Sequence, residues 1–479
     1  MNSLKNKINK IPITVRASSA YAICSIIQRC ISFITMPIFI RMLTQEQYGE
    51  VTVYASWQGI LSTILTLNLA YGSFSAAMVK FESERDKYIS SIEGICIVLS
   101  ISFLIVYLPF RNLWNELFEL PTYLMCFMVI EILASTSVLL WSGKKRFEFK
   151  YVSVIIVTLL STLLSITLQF LLVTNTLNKG HSMIVAAAIV TITIGMIIFF
   201  INIFKGKKII DKEFWKYAFG FNIPLLAYYL SQNIFNQSDR IMISHIVGTD
   251  KAAVYGAAYS LGMVLSFVLN AINNSYVPWY YGKIKAGQMH ENKTVSLGIS
   301  ALMSILLLGV IWFAPEIVLI MAGPQYLEAI YVVPPVAISL LLLFYSQLFI
   351  NVEFYYEEKK KLILASIGSA LINFVLNLIF IRIFGFIAAA YTTLISYIVF
   401  AFANYIAMKK VLKEKSVEDN AYNYKLLVGL FIVFVIIAYL GVAMYNFLIP
   451  RIVVCIIVVL VLFIKRNLFI GLIKRIKNK

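Results

Sequence analysis

The chain has 479 residues, 60% of them hydrophobic and only 13% charged, with a formal net charge of +18. A typical soluble domain carries roughly 25% charged residues, so length here counts membrane spans rather than soluble domains. The charges sit in short loops and at the chain ends, which speaks for membrane orientation and against a nucleic-acid-binding face.

Apolar runs of about 20 residues suffice to cross a bilayer core as helices. They are predicted at 17–40, 50–72, 89–110, 120–142, 151–174, 182–204, 217–241, 253–280, 294–315, 328–352, 362–381, 385–408, 425–447 and 449–471. The first, second, seventh and eighth are the least apolar. Lys5, Lys7, Lys10 and Arg16 precede the first run as in a signal sequence. That run is too long for one and no convincing small-residue cleavage site follows, so it is read as a retained span. Cys24, Cys30, Cys96, Cys126 and Cys455 all fall in apolar segments without a C-x-x-C pair. Buried thiols are expected, not a disulfide framework or a zinc site.

With the N-terminus inside, 33 of the 41 Lys and Arg fall on the cytoplasmic side, 7 on the other, and Arg29 within a span. This asymmetry predicts an even number of spans, about fourteen, with both termini cytoplasmic. The lysine clusters are read as orientation determinants first, with anionic headgroups a secondary contact.

An internal repeat is legible. Tyr48-Gly49 matches Tyr255-Gly256, an offset of 207. Lys144-Lys145-Arg146 matches Lys359-Lys360-Lys361, and Gly180 with Ala186-Ala187-Ala188 matches Gly385 with Ala388-Ala389-Ala390. One duplicated unit of six spans is implied. The predicted fold is an all-α integral membrane protein of about 14 transmembrane helices. Its parts are an N-lobe at 1–210 (spans 1–6), a C-lobe at 211–416 (spans 7–12) and a C-terminal helix pair at 417–479 (spans 13–14). Transporters built this way place substrate near the midplane at the repeat interface.

Polar side chains recur at three- and four-residue steps within spans, and so share a helical face. In the first span these are Ser18, Tyr21, Ser25, Gln28, Arg29, Ser32 and Thr35. In the seventh they are Gln232, Asn233, Asn236, Gln237 and Arg240, and the eighth adds Asn270, Asn273 and Asn274. The 207 offset lays Ser25 on Gln232, Arg29 on Asn236 and Ser32 on Asp239. Such stripes face a bundle interior or a hydrated cavity, here one lined by the first, seventh and eighth spans. For any single Asn the competing reading is helix–helix adhesion.

Arg29 is the sharpest residue, because a cation in a span is costly and needs a partner. Guanidinium recognises a phosphate with paired hydrogen bonds. The alternative is a structural ion pair with Glu131. Glu131 and Glu93 are candidate proton or sodium carriers, with a structural role favoured. Asp239-Arg240 is placed at a span end as a local brace. His181, His245 and His290 are scattered, which argues against a metal site. No phosphate-binding G-x-x-x-x-G-K-[ST] loop, G-x-S-x-G or H-E-x-x-H occurs, and no outward loop is long enough to hold a catalytic site. Transport is expected, not catalysis, and no cofactor.

Met36-Pro37-Ile38-Phe39-Ile40-Arg41-Met42-Leu43 is followed by Glu46, Tyr48 and Gly49. Together with Asn222-Ile223-Pro224, Ser238-Asp239-Arg240 and Val254-Tyr255-Gly256-Ala257-Ala258-Tyr259, this segment resembles Wzx-type polysaccharide (O-antigen/capsule) flippases. Gly323-Pro324-Gln325-Tyr326 and Leu376-Asn377-Leu378-Ile379 leading to Gly385 extend the resemblance over nearly the whole chain. Those flippases belong to the multidrug/oligosaccharidyl-lipid/polysaccharide exporter superfamily.

The resemblance implies a two-lobed helical bundle working by alternating access in the bacterial inner membrane. Its cargo would be an undecaprenyl-pyrophosphate-linked oligosaccharide, with Arg29 best placed to meet the pyrophosphate. It also implies a polysaccharide polymerase and a chain-length regulator as partners. Many multidrug members carry an acid in the first span, whereas here no Asp or Glu lies between Arg16 and Glu46. A drug or metabolite cation antiporter of the same superfamily is the first alternative reading, and a membrane glycan polymerase or transferase the second.

Overall fold

In a computed structural model of the protein, the described residues are 13–454. The basic N-terminal residues before 13, Cys455, most of the predicted span at 449–471 and the C-terminal lysine cluster lie outside them. The described chain is helical throughout and falls into two compact units, Met1–Ile241 and Met242–Lys479. This division lies one span beyond the 210/211 lobe boundary expected from the repeat.

The first unit opens with α1 (Ile13–Met42). Thr44 and Gln47 then form a reciprocal capping box that starts α2 (Gln45–Thr66), satisfying amides that a helix start leaves open. Leu67 and Asn68 take left-handed backbone angles (φ 48° and 53°) and end α2. After a turn the chain resumes as α3 (Phe74–Lys80), so the predicted span at 50–72 is a helix in two pieces. There follow α4 (Arg85–Tyr107), the short α5 (Arg111–Phe118), α6 (Thr122–Phe147), α7 (Tyr151–Asn175), α8 (Lys179–Gly206) and α9 (Lys212–Ile246).

The remaining elements are α10 (Thr249–Gly262), α11 (Ser266–Lys285), α12 (Asn292–Trp312), α13 (Ala314–Met321), α14 (Val333–Tyr355), α15 (Lys359–Phe384), α16 (Ile387–Glu414) and α17 (Tyr424–Ala443). The eighth predicted span is again a helix in two pieces, α10 and α11. Short 3₁₀ turns follow α3 at Glu82–Glu84 and α11 at Met289–Glu291. Position 289 lies 207 residues after position 82, the offset read from the sequence. The order long helix, two-piece helix, 3₁₀ turn, helix, short helix and three helices therefore runs twice, from α1 to α8 and from α9 to α16. The duplication inferred from scattered motifs is a duplication of elements.

Eleven helical segments among the described residues are long and apolar enough to span a membrane. α2 and α9 are not among them. Apolar packing and lipid-facing surface divide the side chains. In the first unit Tyr88, Ile92, Met78 and Phe81 pack with Phe214 and Ala218 of α9. Around Tyr54, Leu124, Met128 and Ile132 a second core forms. The core of the second unit includes Tyr280, Met303, Leu341 and Phe344, and draws in Leu427, Phe434 and Ala438 of α17. Gly195 lets α8 cross α6 closely: a Cβ there would meet the Ala134 carbonyl oxygen at 2.5 Å. Small residues permit such backbone approach in membrane bundles.

The cysteine reading needs correction. Cys24 and Cys96 are buried, but Cys126 is half-buried and Cys30 is exposed on α1. α1 is covered on one side only, so an apolar sequence does not guarantee burial.

Candidate functional site: polar faces of the two units

In the first unit Ser25 and Arg29 lie on the exposed face of α1, while Gln28 is half-buried. Gln28 Nε2 donates to Thr162 Oγ1 of α7 at 3.3 Å, and Ser32 Oγ donates to the Gln28 carbonyl at 3.0 Å. Arg29 occurs in no ion pair among the described residues, so the pairing with Glu131 considered from sequence is not made. Glu131 instead accepts from Tyr54 Oη at 2.9 Å. Both groups sit on helices that face each other across the unit's core, whereas Arg29 points away from it.

The α9 stripe is partly structural. Asn233 Nδ2 donates to Thr63 Oγ1 of α2 at 2.6 Å, and Asn236 Nδ2 donates to the Gln232 carbonyl at 2.8 Å. Arg240 Nη1 donates to Gln237 Oε1 at 2.5 Å. Asp239 is buried. α9 continues to Ile246, so Asp239-Arg240 lies inside the helix rather than at its end. Glu93 is fully buried on α4 and accepts from Asn202 Nδ2 of α8 at 2.8 Å. Its Oε2 has no hydrogen-bond partner.

In the second unit Asn270 and Asn274 are exposed on α11, and Asn273 donates to Gln347 of α14. Two features here escaped sequence reading. Glu353 on α14 is buried with both carboxylate oxygens lacking a hydrogen-bond partner. Asn373 and Asn377 of α15 join Thr392 and Thr393 of α16 in a buried network. In it Asn373 Nδ2 donates to Thr393 Oγ1 at 3.1 Å, Asn377 Nδ2 donates to Asn373 Oδ1 at 3.2 Å, and Thr392 donates to Asn377. The i, i+4 spacing of Asn373 and Asn377 was the available signal.

Asn222 was quoted only as part of a motif, yet it is a structural keystone. Fully buried on α9, it accepts from Ser73 N at 3.3 Å and donates to Ser73 Oγ at 2.7 Å. It thereby satisfies a backbone amide exposed by the break between α2 and α3, a requirement at membrane depth.

Taken together, these units are those of a multi-pass helical membrane protein: spanning helices in a duplicated order, with uncharged polar groups and isolated ionisable residues within them. Residues 15–281 match the family model described as polysaccharide biosynthesis protein, and the chain belongs to that family. Among solved structures the chain is similar to an inward-facing multidrug resistance MATE transporter of the MOP superfamily. The TM-score is 0.60 at 14% identity, over 83% of this chain and 99% of that one. It is also similar to the lipid II flippase MurJ in an inward closed conformation, with a TM-score of 0.59 at 16% identity, over 93% of this chain and 100% of that one.

Two relatives come from Haemophilus influenzae. "Lsg locus putative protein 1" is 29% identical over 161 residues, covering 33% of this chain and 39% of the relative's own length. An "uncharacterized membrane protein" is 22% identical over 374 residues, covering 75% of this chain and 88% of the relative. Family and fold together make this a multi-pass membrane protein of the polysaccharide biosynthesis family, with a fold shared by MATE and MurJ structures.

Proposed function

We propose that the protein flips undecaprenyl-pyrophosphate-linked oligosaccharide repeat units across the bacterial inner membrane for surface polysaccharide such as O-antigen or capsule. The observation that carries this reading is Arg29. It lies midway along α1, is exposed, and makes no ion pair among the described residues. A guanidinium facing lipid at that depth is costly, so in this reading the face meets water and an anion, for which the pyrophosphate implied by the sequence resemblance is proposed. Ser25 and Gln28 of α1 and Gln232, Asn233 and Asn236 of α9 would contact the head group. Asn270, Asn273 and Asn274 of α11 would do the same from the second unit. Glu93, Glu131, Asp239 and Arg240 are proposed for ion coupling or structural support. Both termini are cytoplasmic in this reading, and a polymerase and a chain-length regulator receive the product.

The test is flipping of a fluorescent undecaprenyl-pyrophosphate oligosaccharide in proteoliposomes by wild type and by Arg29→Ala. Loss in the variant, with the protein still folded, supports both the activity and the phosphate contact. Equal flipping demotes Arg29 to a structural residue. Absence of flipping by folded wild type under an imposed ion gradient favours the antiporter.

A further inference from the structure

The first unit holds a cavity of about 400 Å³ walled by α1, α7 and α8, with Tyr48 of α2 at its edge. Small-molecule sites run from about 300 to 1,000 Å³. The wall carries no charged side chain. α1 contributes Gln28, Ser32 and Thr35, and α7 contributes Thr162, Ser165 and Gln169. The α7 residues recur at three- and four-residue steps and form a polar stripe that the sequence reading did not single out.

Most hydroxyls of this wall are turned back on their own helices. Ser32, Thr35 and Thr162 donate their hydroxyl protons to their own helices, to the carbonyls of Gln28, Ile31 and Thr158 at 3.0, 3.0 and 2.8 Å. Thr191 on α8 does the same toward Ala187 at 3.0 Å. Such back-bonding leaves the Ser32 and Thr35 oxygens able to accept from a ligand, while Thr162 Oγ1 already accepts from Gln28. Gln28 and Gln169 spend an amide proton on Thr162 and Ser165, at 3.3 and 2.8 Å. Their carbonyl oxygens accept from no donor among the described residues. The cavity therefore offers several acceptors beside the remaining amide protons of Gln28 and Gln169 and the Ser165 hydroxyl, and no cation. It disfavours phosphate and suits a neutral ligand rich in hydroxyl donors.

We infer that this cavity is a subsite for a neutral sugar of the head group, separate from the Arg29 phosphate contact, an inference that rests on the flippase reading. The geometry divides the cargo by chemistry: pyrophosphate to guanidinium, hexose hydroxyls to the α1–α7–α8 wall.

The test is maleimide labelling of Ser165→Cys in full-length protein whose native cysteines are alanine. The probe is undecaprenyl pyrophosphate bearing a neutral hexose oligosaccharide, and the comparator is undecaprenyl pyrophosphate without sugar. At roughly ten times its Kd the glycolipid should slow labelling about tenfold, since roughly a tenth of sites stay free, while the comparator leaves it unchanged. Gln169→Leu with Thr162→Val, which removes acceptors and little volume, should raise the half-protecting glycolipid concentration roughly fivefold to tenfold. Equal protection by both lipids overturns the sugar assignment, as does no protection by either. Flipping by wild type without protection overturns the subsite and leaves the transporter. Protection without flipping retains the subsite and removes the flippase.

Discussion

The carboxamide of Asn222 grips Ser73 at two points, accepting from its backbone amide at 3.3 Å and donating to its hydroxyl at 2.7 Å. The contact is so close that a Cβ on neighbouring Gly72 would lie 1.8 Å from Asn222 Oδ1. Asn222→Ala leaves the buried Ser73 amide without a partner, while the Ser73 hydroxyl keeps Tyr88 Oη at 3.3 Å, a loss of about 2 kcal/mol. Gly72→Ala should disrupt the same contact sterically. Thermal unfolding in detergent should show both variants melting earlier than wild type, and an unchanged midpoint for Asn222→Ala would remove its role at the break.

Arg451 anchors the chain beyond α17. Its guanidinium reaches both carboxylate oxygens of Glu316 on α13, at 2.9 and 2.6 Å, and donates to the Trp312 carbonyl at 2.5 Å. Glu316→Ala strands a buried cation and should cost on the order of 3 kcal/mol. Arg451→Met removes the charge and keeps much of the stem, so it should cost less than Glu316→Ala. The order of the two melting temperatures checks this.

Glu148, just past the end of α6, meets Lys144, Lys145 and Lys150 at 3.3, 3.5 and 2.9 Å. Burial pushes its carboxyl up, but the three ammonium groups outweigh it and hold the pKa at about 2. The folded value is thus below the unfolded one of roughly 4.3. Its stabilising contribution is complete above that unfolded value and is lost as pH falls toward about 2. Hydrogen exchange at the α6–α7 corner should accelerate across that window in wild type, and Glu148→Gln should flatten the dependence.

Gly195 faces the Ala134 backbone with no room for a side chain. Gly195→Val should force α8 and α6 apart at a cost of about 3 kcal/mol and reduce the yield of folded protein. A fully folded, equally stable variant would show that the crossing relaxes freely.

The spans were legible because lipid and packing both demand apolar runs, and the duplication because loop motifs survive at offsets between 202 and 215. α2 and α9 read as less apolar for the reason the structure gives: Thr63, Asn233 and Asn222 spend their polarity on joining helices. The α7 stripe was not legible as a site. Its Ser and Thr residues satisfy their own backbone and hardly lower the hydropathy of the run. The network of Asn373, Asn377, Thr392 and Thr393 is divided between two helices, so neither alone looks unusual. Arg29 was recognised by its cost, but its failure to meet Glu131 depended on which way α1 is turned.

The second span of each repeat is cut, at 67–73 in the first copy and at 263–265 in the second. An intact helix resists bending because curvature strains its ladder of hydrogen bonds. At each cut the ladder is irregular, with tighter bonds such as Leu69 N to the Thr66 carbonyl and Val264 N to the Leu261 carbonyl replacing part of it. Each copy thus carries an interruption at the same step of its path, and in the first copy the side chain of Asn222 holds the residue that closes it. The irregular turn is thus a repeated part of the fold, placed between the two halves of the second span in both copies.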